Sequence, residues 1–148
     1  MYTGLLHLHS LNRYAILLLI LLVLYRSFTG FTGKKTFTSL DQKSSLWLLI
    51  LSHLQLVFGL VLYMVSPWVK FTAETMKDAS LRYWTVEHIF MMVIAITLIT
   101  IARISSKRLT DDTAKHKRIF ILVSIAFVII LAAIATSGRG FFGLPGHH

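Results

Sequence analysis

The sequence contains no cysteine. That excludes disulfides, iron–sulfur clusters, thiolate metal sites and thiol redox chemistry. Charge is scarce as well: 14% of the 148 residues are charged and 55% are hydrophobic. A soluble globular domain carries about 25% charged and 45–50% apolar residues. Acids are the scarcest charged type, with 6 Asp+Glu against 15 Lys+Arg. No serine, lysine or carboxylate arrangement pairs a nucleophile with a base. There is no internal repeat and no low-complexity segment.

The hydrophobic residues fall in blocks, and the mean hydropathy is +0.71. Four blocks are long enough to cross a bilayer, which takes about 20 mostly apolar residues for about 30 Å of hydrocarbon. They predict spans near residues 5–28, 45–66, 82–102 and 117–136. The first block is too long for a signal-peptide core and lacks a small-residue cleavage site, so it is read as a retained helix. Gly30 and Gly33 close it, and Pro67 stops the second span, with Trp68 as an interfacial anchor. Tyr83 and Trp84 open the third span, and a Ser-Gly-Arg-Gly stretch at 137–140 breaks the fourth. Residues 71–81 are a candidate for a short amphipathic surface helix, with few apolar residues. The second and fourth spans have no acidic residue, which argues against a carboxylate relay through the bundle. The expected fold is all-α, an integral membrane four-helix bundle running up-down-up-down as one domain over residues 1–148.

The net charge of +9 does not mark a nucleic-acid partner, because the cations flank membrane spans, where anionic headgroups meet them. Arg26, Lys34, Lys35 and Lys43 lie between the first two spans. Arg103, Lys107, Arg108, Lys115, Lys117 and Arg118 lie between the last two. Those 10 of the 15 basic residues predict cytoplasmic loops and both termini on the outer side by the positive-inside rule.

Inside the spans, polar residues are few and therefore informative. An ionisable side chain within a span is a functional candidate by default. At 100° per residue His9, Asn12, Arg13, Ile16 and Ile20 share one face of the first span. In the third, Trp84, Thr85, His88, Met91, Met92, Ala95, Ile99 and Ala102 share a face, with Glu87 beside it. His9 and His88 each lie about one helical turn in from the same side, so the imidazoles fall at similar depth. Two imidazoles, a nearby arginine and a face of alanine and methionine suit a b-type haem: His9 and His88 as axial ligands, a propionate on Arg13. With no CxxCH motif, such a haem is held without covalent attachment. Trp84 and Glu87 would orient and tune His88. The competing reading makes these interfacial polar residues, with Arg13 and Glu87 as an ion pair between helices.

The other histidines leave alternatives open. His53 lies deep in the second span, about 100° from the seam of Ser45, Ser52, Gln55, Gly59, Tyr63 and Ser66. It is either a buried neutral residue bonded to a neighbouring helix or a ligand replacing one of the proposed pair. His116 reads as solvated or headgroup-facing, with a second, inner haem site as the alternative. His7 and His9, with His147 and His148, form a possible outer-face copper or zinc site.

Four segments together, 7–13 (HLHSLNR), 53–59 (HLQLVFG), 82–88 (RYWTVEH) and 115–118 (KHKR), make the chain similar to a family of small bacterial four-span membrane proteins labelled cytochrome b-like. The resemblance covers most of the length. It implies haem b, membrane electron transfer linked to quinone, and a place in the bacterial cytoplasmic (inner) membrane within a larger respiratory complex. It departs from the b561 type, whose histidine pairs occupy both ends of the bundle. The expected function is therefore an electron-transfer subunit rather than a stand-alone enzyme. The rivals are a haem-free accessory subunit and an outer-face copper or zinc protein.

Overall fold

A computed structural model of the chain describes residues 2–65, 74 and 76–136, without the side chains at 2, 80, 81, 84 and 85. The described residues form helices and no strands: α1 (Tyr2–Thr32), α2 (Ser39–Val65), the short α3 (Ala79–Arg82), a π-helical turn (Tyr83–Glu87), α4 (His88–Lys107) and α5 (Asp112–Thr136). The long four, α1, α2, α4 and α5, are each apolar and long enough to cross a membrane. The protein is thus an all-helical, multi-pass membrane protein.

The helices extend past the spans read from hydropathy. Hydropathy marks where hydrocarbon begins, whereas a helix ends where its backbone is capped. α1 runs to Thr32 and closes with Lys34 at φ 50° and a Lys35 N–H bond to the Gly30 carbonyl at 2.8 Å. This left-handed closure is usually made by glycine. α2 starts six residues before the predicted span, because the Asp41 side chain folds back to cap Thr38. The Asp41 carboxylate accepts from the Thr38 N–H at 2.8 Å and the Thr38 hydroxyl at 3.0 Å. Asp41 also holds Arg26 of α1 at 2.8 Å, so Arg26 belongs to the bundle and not to a loop. Arg103, likewise expected in a loop, lies inside α4 and is 5% exposed. Of residues 71–81, 71–73 and 75 fall outside the described set, and the described ones are turns up to 78, with helix only from Ala79, the start of the four-residue α3. Pro67, Trp68, the 137–140 break, His147 and His148 also fall outside it.

Cross-helix contacts fix the arrangement. Arg26 meets Asp41 and Asn12 meets Gln55, so α1 and α2 are antiparallel. His53 meets Thr100 between α2 and α4. Tyr83, at the head of α4, meets Ala133 near the end of α5. Gly30 of α1 touches His116 of α5. Each of α1 and α4 packs on both α2 and α5, which makes α1 and α4 diagonal partners. One end of the bundle bears the start of α1 and the end of α5, here the terminal end. The other bears the connections at 33–38 and 108–111, here the basic end.

The core is a column of Ile16, Ile20, Leu48, Ala95, Ile99, Val123 and Ala126 with their neighbours. The outside is equally apolar: Leu11 is 69% exposed, Phe90 65% and Val128 64%. Such a surface belongs in lipid. There the helices hold through close packing and internal hydrogen bonds, since lipid is as apolar as leucine. Ala95, Ala102, Ala126 and Ala133 are all nearly inaccessible and let the backbones approach.

Candidate functional site at the terminal end

The two histidines singled out from the sequence meet across the bundle diagonal. The His9 and His88 rings have centroids 6.4 Å apart and planes 70° to one another. Two imidazoles on opposite sides of one metal, at metal–nitrogen bonds of about 2 Å, place their centroids about 6 Å apart.

The local structure before His88 sets its orientation. The π turn adds a residue to the helix, and the His88 N–H bonds the Tyr83 carbonyl five residues back. Residues five apart therefore stack. Arg82 pairs with Glu87 at 2.7 Å, and Tyr83 lies against His88 with ring centroids 5.6 Å apart. Such inserted turns recur at functional sites. The Tyr83 hydroxyl donates to the Ala133 carbonyl of α5. Its single hydrogen is then committed, so at 3.3 Å it accepts from His88 Nδ1. The network thus assigns the hydrogen to Nδ1 and the lone pair to Nε2. A ligating histidine has this form: one nitrogen donates to an oxygen and the other binds metal.

His9 is fixed by an amide network from α2. Asn12 donates to the Leu51 carbonyl at 3.1 Å and to Gln55 Oε1 at 2.9 Å. Gln55 Nε2 donates to the His9 carbonyl at 2.9 Å and stands 3.5 Å from His9 Nε2. Because Gln55 Oε1 is taken by Asn12, its nitrogen must face His9, and His9 Nε2 can only accept. Gly59 completes the cradle: a Cβ there would stand 3.5 Å from His9 Cε1. Both imidazoles are half-buried, as are Arg13 and Gln55.

The remaining candidates divide. Arg13 lies over the Tyr14 ring at 4.9 Å and bonds its hydroxyl at 3.1 Å. Its buried Nε has no acceptor among the described residues. Glu87, expected beside His88 or paired with Arg13, is held instead by Arg82. The Trp84 side chain lies outside the described residues. His53 stands apart from the pair: it is exposed on α2 and bonds Thr100 Oγ1 of α4 at 3.0 Å. Thr100 donates to the Ile96 carbonyl, so His53 Nε2 donates. This is the bond to a neighbouring helix, made at the lipid-facing surface and not in the interior. His116, expected in solvent or headgroups, is 2% exposed. Its ring packs on Gly30 and on Phe37, 5.1 Å away, and its Nε2 lies 3.4 Å from the Thr36 carbonyl. Gly30 makes room for it, as the small residue opposite a buried ring. His7 is exposed.

Tyr83 and Gln55 are the site residues that sequence reasoning assigned elsewhere, one to an aromatic belt and one to a packing seam. Among the described residues no three His, Asp or Glu side chains converge as a metal group. No protein-family model, no curated protein and no solved structure matches this chain.

Proposed function

We propose that the terminal end of the bundle binds haem b between α1 and α4, where His9 and His88 are the residues that would hold it, and that the protein is a small cytochrome b-like electron-transfer subunit. The observation that carries this reading is the 6.4 Å approach of the two rings from diagonal helices. The fit of the remaining groups supports it. His88 has its Nε2 assigned as acceptor through Tyr83, and His9, whose Nε2 stands 3.5 Å from the Gln55 amide, would turn that nitrogen away from Gln55 to hold the group. Arg13, four residues from His9, offers an unengaged Nε to a propionate. Met92 and Ala95 below His88 line the α4 face.

Haem b, when bound, supplies one-electron transfer. The chain would hold His88 in one tautomer through Tyr83, balance a propionate with Arg13, and keep the site within an apolar bundle that limits water. The basic end would face the cytoplasm under the positive-inside rule, setting the haem near the outer face of a bacterial inner membrane. There it would relay electrons between the quinone pool and a partner in a larger complex.

A second reading keeps some support. The Asn12–Gln55–His9 and Tyr83–Ala133 bonds knit α1 to α2 and α4 to α5, as a haem-free accessory subunit also requires. A difference spectrum of the reduced and oxidised protein, purified in mild detergent from haem-replete cells, separates the two. A b-type α-band lost in both His9→Ala and His88→Ala is expected. A colourless wild-type protein that also fails to take up added haemin would sink the haem reading.

A further inference from the structure

The buried Arg103 at the basic end has no counter-ion among the described residues. It lies four residues before the end of α4 and is 5% exposed. Its Nε has no acceptor among the described residues. The chain has six carboxylates, and none serves it. Asp41 binds Arg26, Glu87 binds Arg82 and Asp112 lies 4.0 Å from Lys115. Asp111 caps α5 through the Ala114 N–H. Glu74 and Asp78 precede α3, at the terminal end. A buried cation left unpaired is strongly destabilising, and inside a membrane bundle it marks a function.

The surroundings select the ligand. Lys107 and Arg108 follow Arg103, and Lys117 and Arg118 lie across the hairpin, all four exposed. They concentrate anions at this end without occupying the interior. Ser106, one turn on from Arg103, is 1% exposed, and its hydroxyl rests on the Arg103 carbonyl at 3.0 Å. It is a rotatable donor one helical turn from Arg103. A planar guanidinium matches phosphate oxygens in pairs. Basic pockets between membrane helices on the side of positive loops take anionic headgroups.

We propose that Arg103, with Ser106, binds a phosphate group that enters the bundle from the basic end, carried either by an anionic phospholipid headgroup or as free phosphate. The site is independent of the haem reading, because it lies at the opposite end and shares no residue with it.

The test uses the full chain, delipidated in dodecyl maltoside. Phosphatidylglycerol, diacylglycerol with the same acyl chains, and inorganic phosphate are added separately. Native mass spectrometry and thermal unfolding are the readouts. One phosphatidylglycerol per chain and a rise of several degrees are expected, with no effect of diacylglycerol. Arg103→Gln should weaken retention at least tenfold, while Lys77→Gln, at the exposed opposite end, should not. Equal stabilisation by inorganic phosphate makes the free anion the ligand and leaves the site intact. Should Arg103→Gln fail to fold, Arg103→Lys decides: it keeps the charge without the fork and should retain the phosphate more weakly. The proposal is overturned if neither phosphate probe stabilises the wild type, or if Arg103→Gln retains phosphatidylglycerol unchanged.

Discussion

The hydroxyl of Tyr83 does two jobs at once: it ties α4 to α5 and fixes the tautomer of His88. Tyr83→Phe keeps the ring and removes both bonds. A buried hydrogen bond of this kind contributes about 1 kcal/mol, so a modest fall in thermal stability is expected. Losing the partner of a ligating histidine lowers metal affinity 10–100-fold in order of magnitude. A haem titration of Tyr83→Phe should therefore show affinity at least tenfold weaker than wild type. Unchanged affinity would mean that Tyr83 does not orient His88. That His9 and His88 come to the same depth and approach one another was legible from the sequence, because depth and face follow from counting along regular helices. Tyr83 was not, because the π turn breaks that counting just before His88. A 3.6-residue period separates residues 83 and 88 around the helix, whereas the wider turn stacks them. The same turn took Glu87 from Arg13 and gave it to Arg82.

At the scale of the helices, spans were legible and ends were not. Apolar length reports what must be in lipid, but α2 begins at Ser39 because of the Thr38 and Asp41 cap, a pattern written in polar residues outside the apolar run. Contacts between helices were harder still. The seam of α2 was visible as small and polar residues, and Ser45 and Ser52 are indeed buried. The pocket for His116 was not visible, because its floor is Gly30, 86 positions earlier in the chain, at a point that read as a helix stop. A Cβ on Gly30 would lie 2.4 Å from the His116 ring, which is inside van der Waals contact. Gly30→Ala should therefore cost about 1–3 kcal/mol through overpacking, despite the better helix propensity of alanine. Thermal unfolding in detergent measures this. Adding His116→Ala to Gly30→Ala should relieve much of the clash, so that the two changes couple and do not add. Simple additivity would mean that α1 and α5 do not meet at this point.

For the whole molecule, the remaining asymmetry is charge. Discounting Arg26, which is paired with Asp41, and Arg103, which is buried, the basic end still carries Lys34, Lys35, Lys43, Lys107, Arg108, Lys115, Lys117 and Arg118. Described cations nearer the terminal end are Arg13, Lys77 and Arg82. Each lysine or arginine near an anionic leaflet contributes about 1 kcal/mol, and the bias of short loops sets orientation. The basic end should therefore face the cytoplasm, with the His9–His88 pair near the outer surface. The absence of cysteine makes this directly measurable, since any introduced thiol is the only one in the chain. Thr110→Cys marks the basic end and Lys77→Cys the opposite connection, both at exposed positions. In intact bacterial cells a membrane-impermeant maleimide should label position 77 and leave 110 untouched until the membrane is permeabilised. The reverse pattern would turn the bundle over. The histidine pair would then face the cytoplasm, and any electron partner would have to be sought on that side.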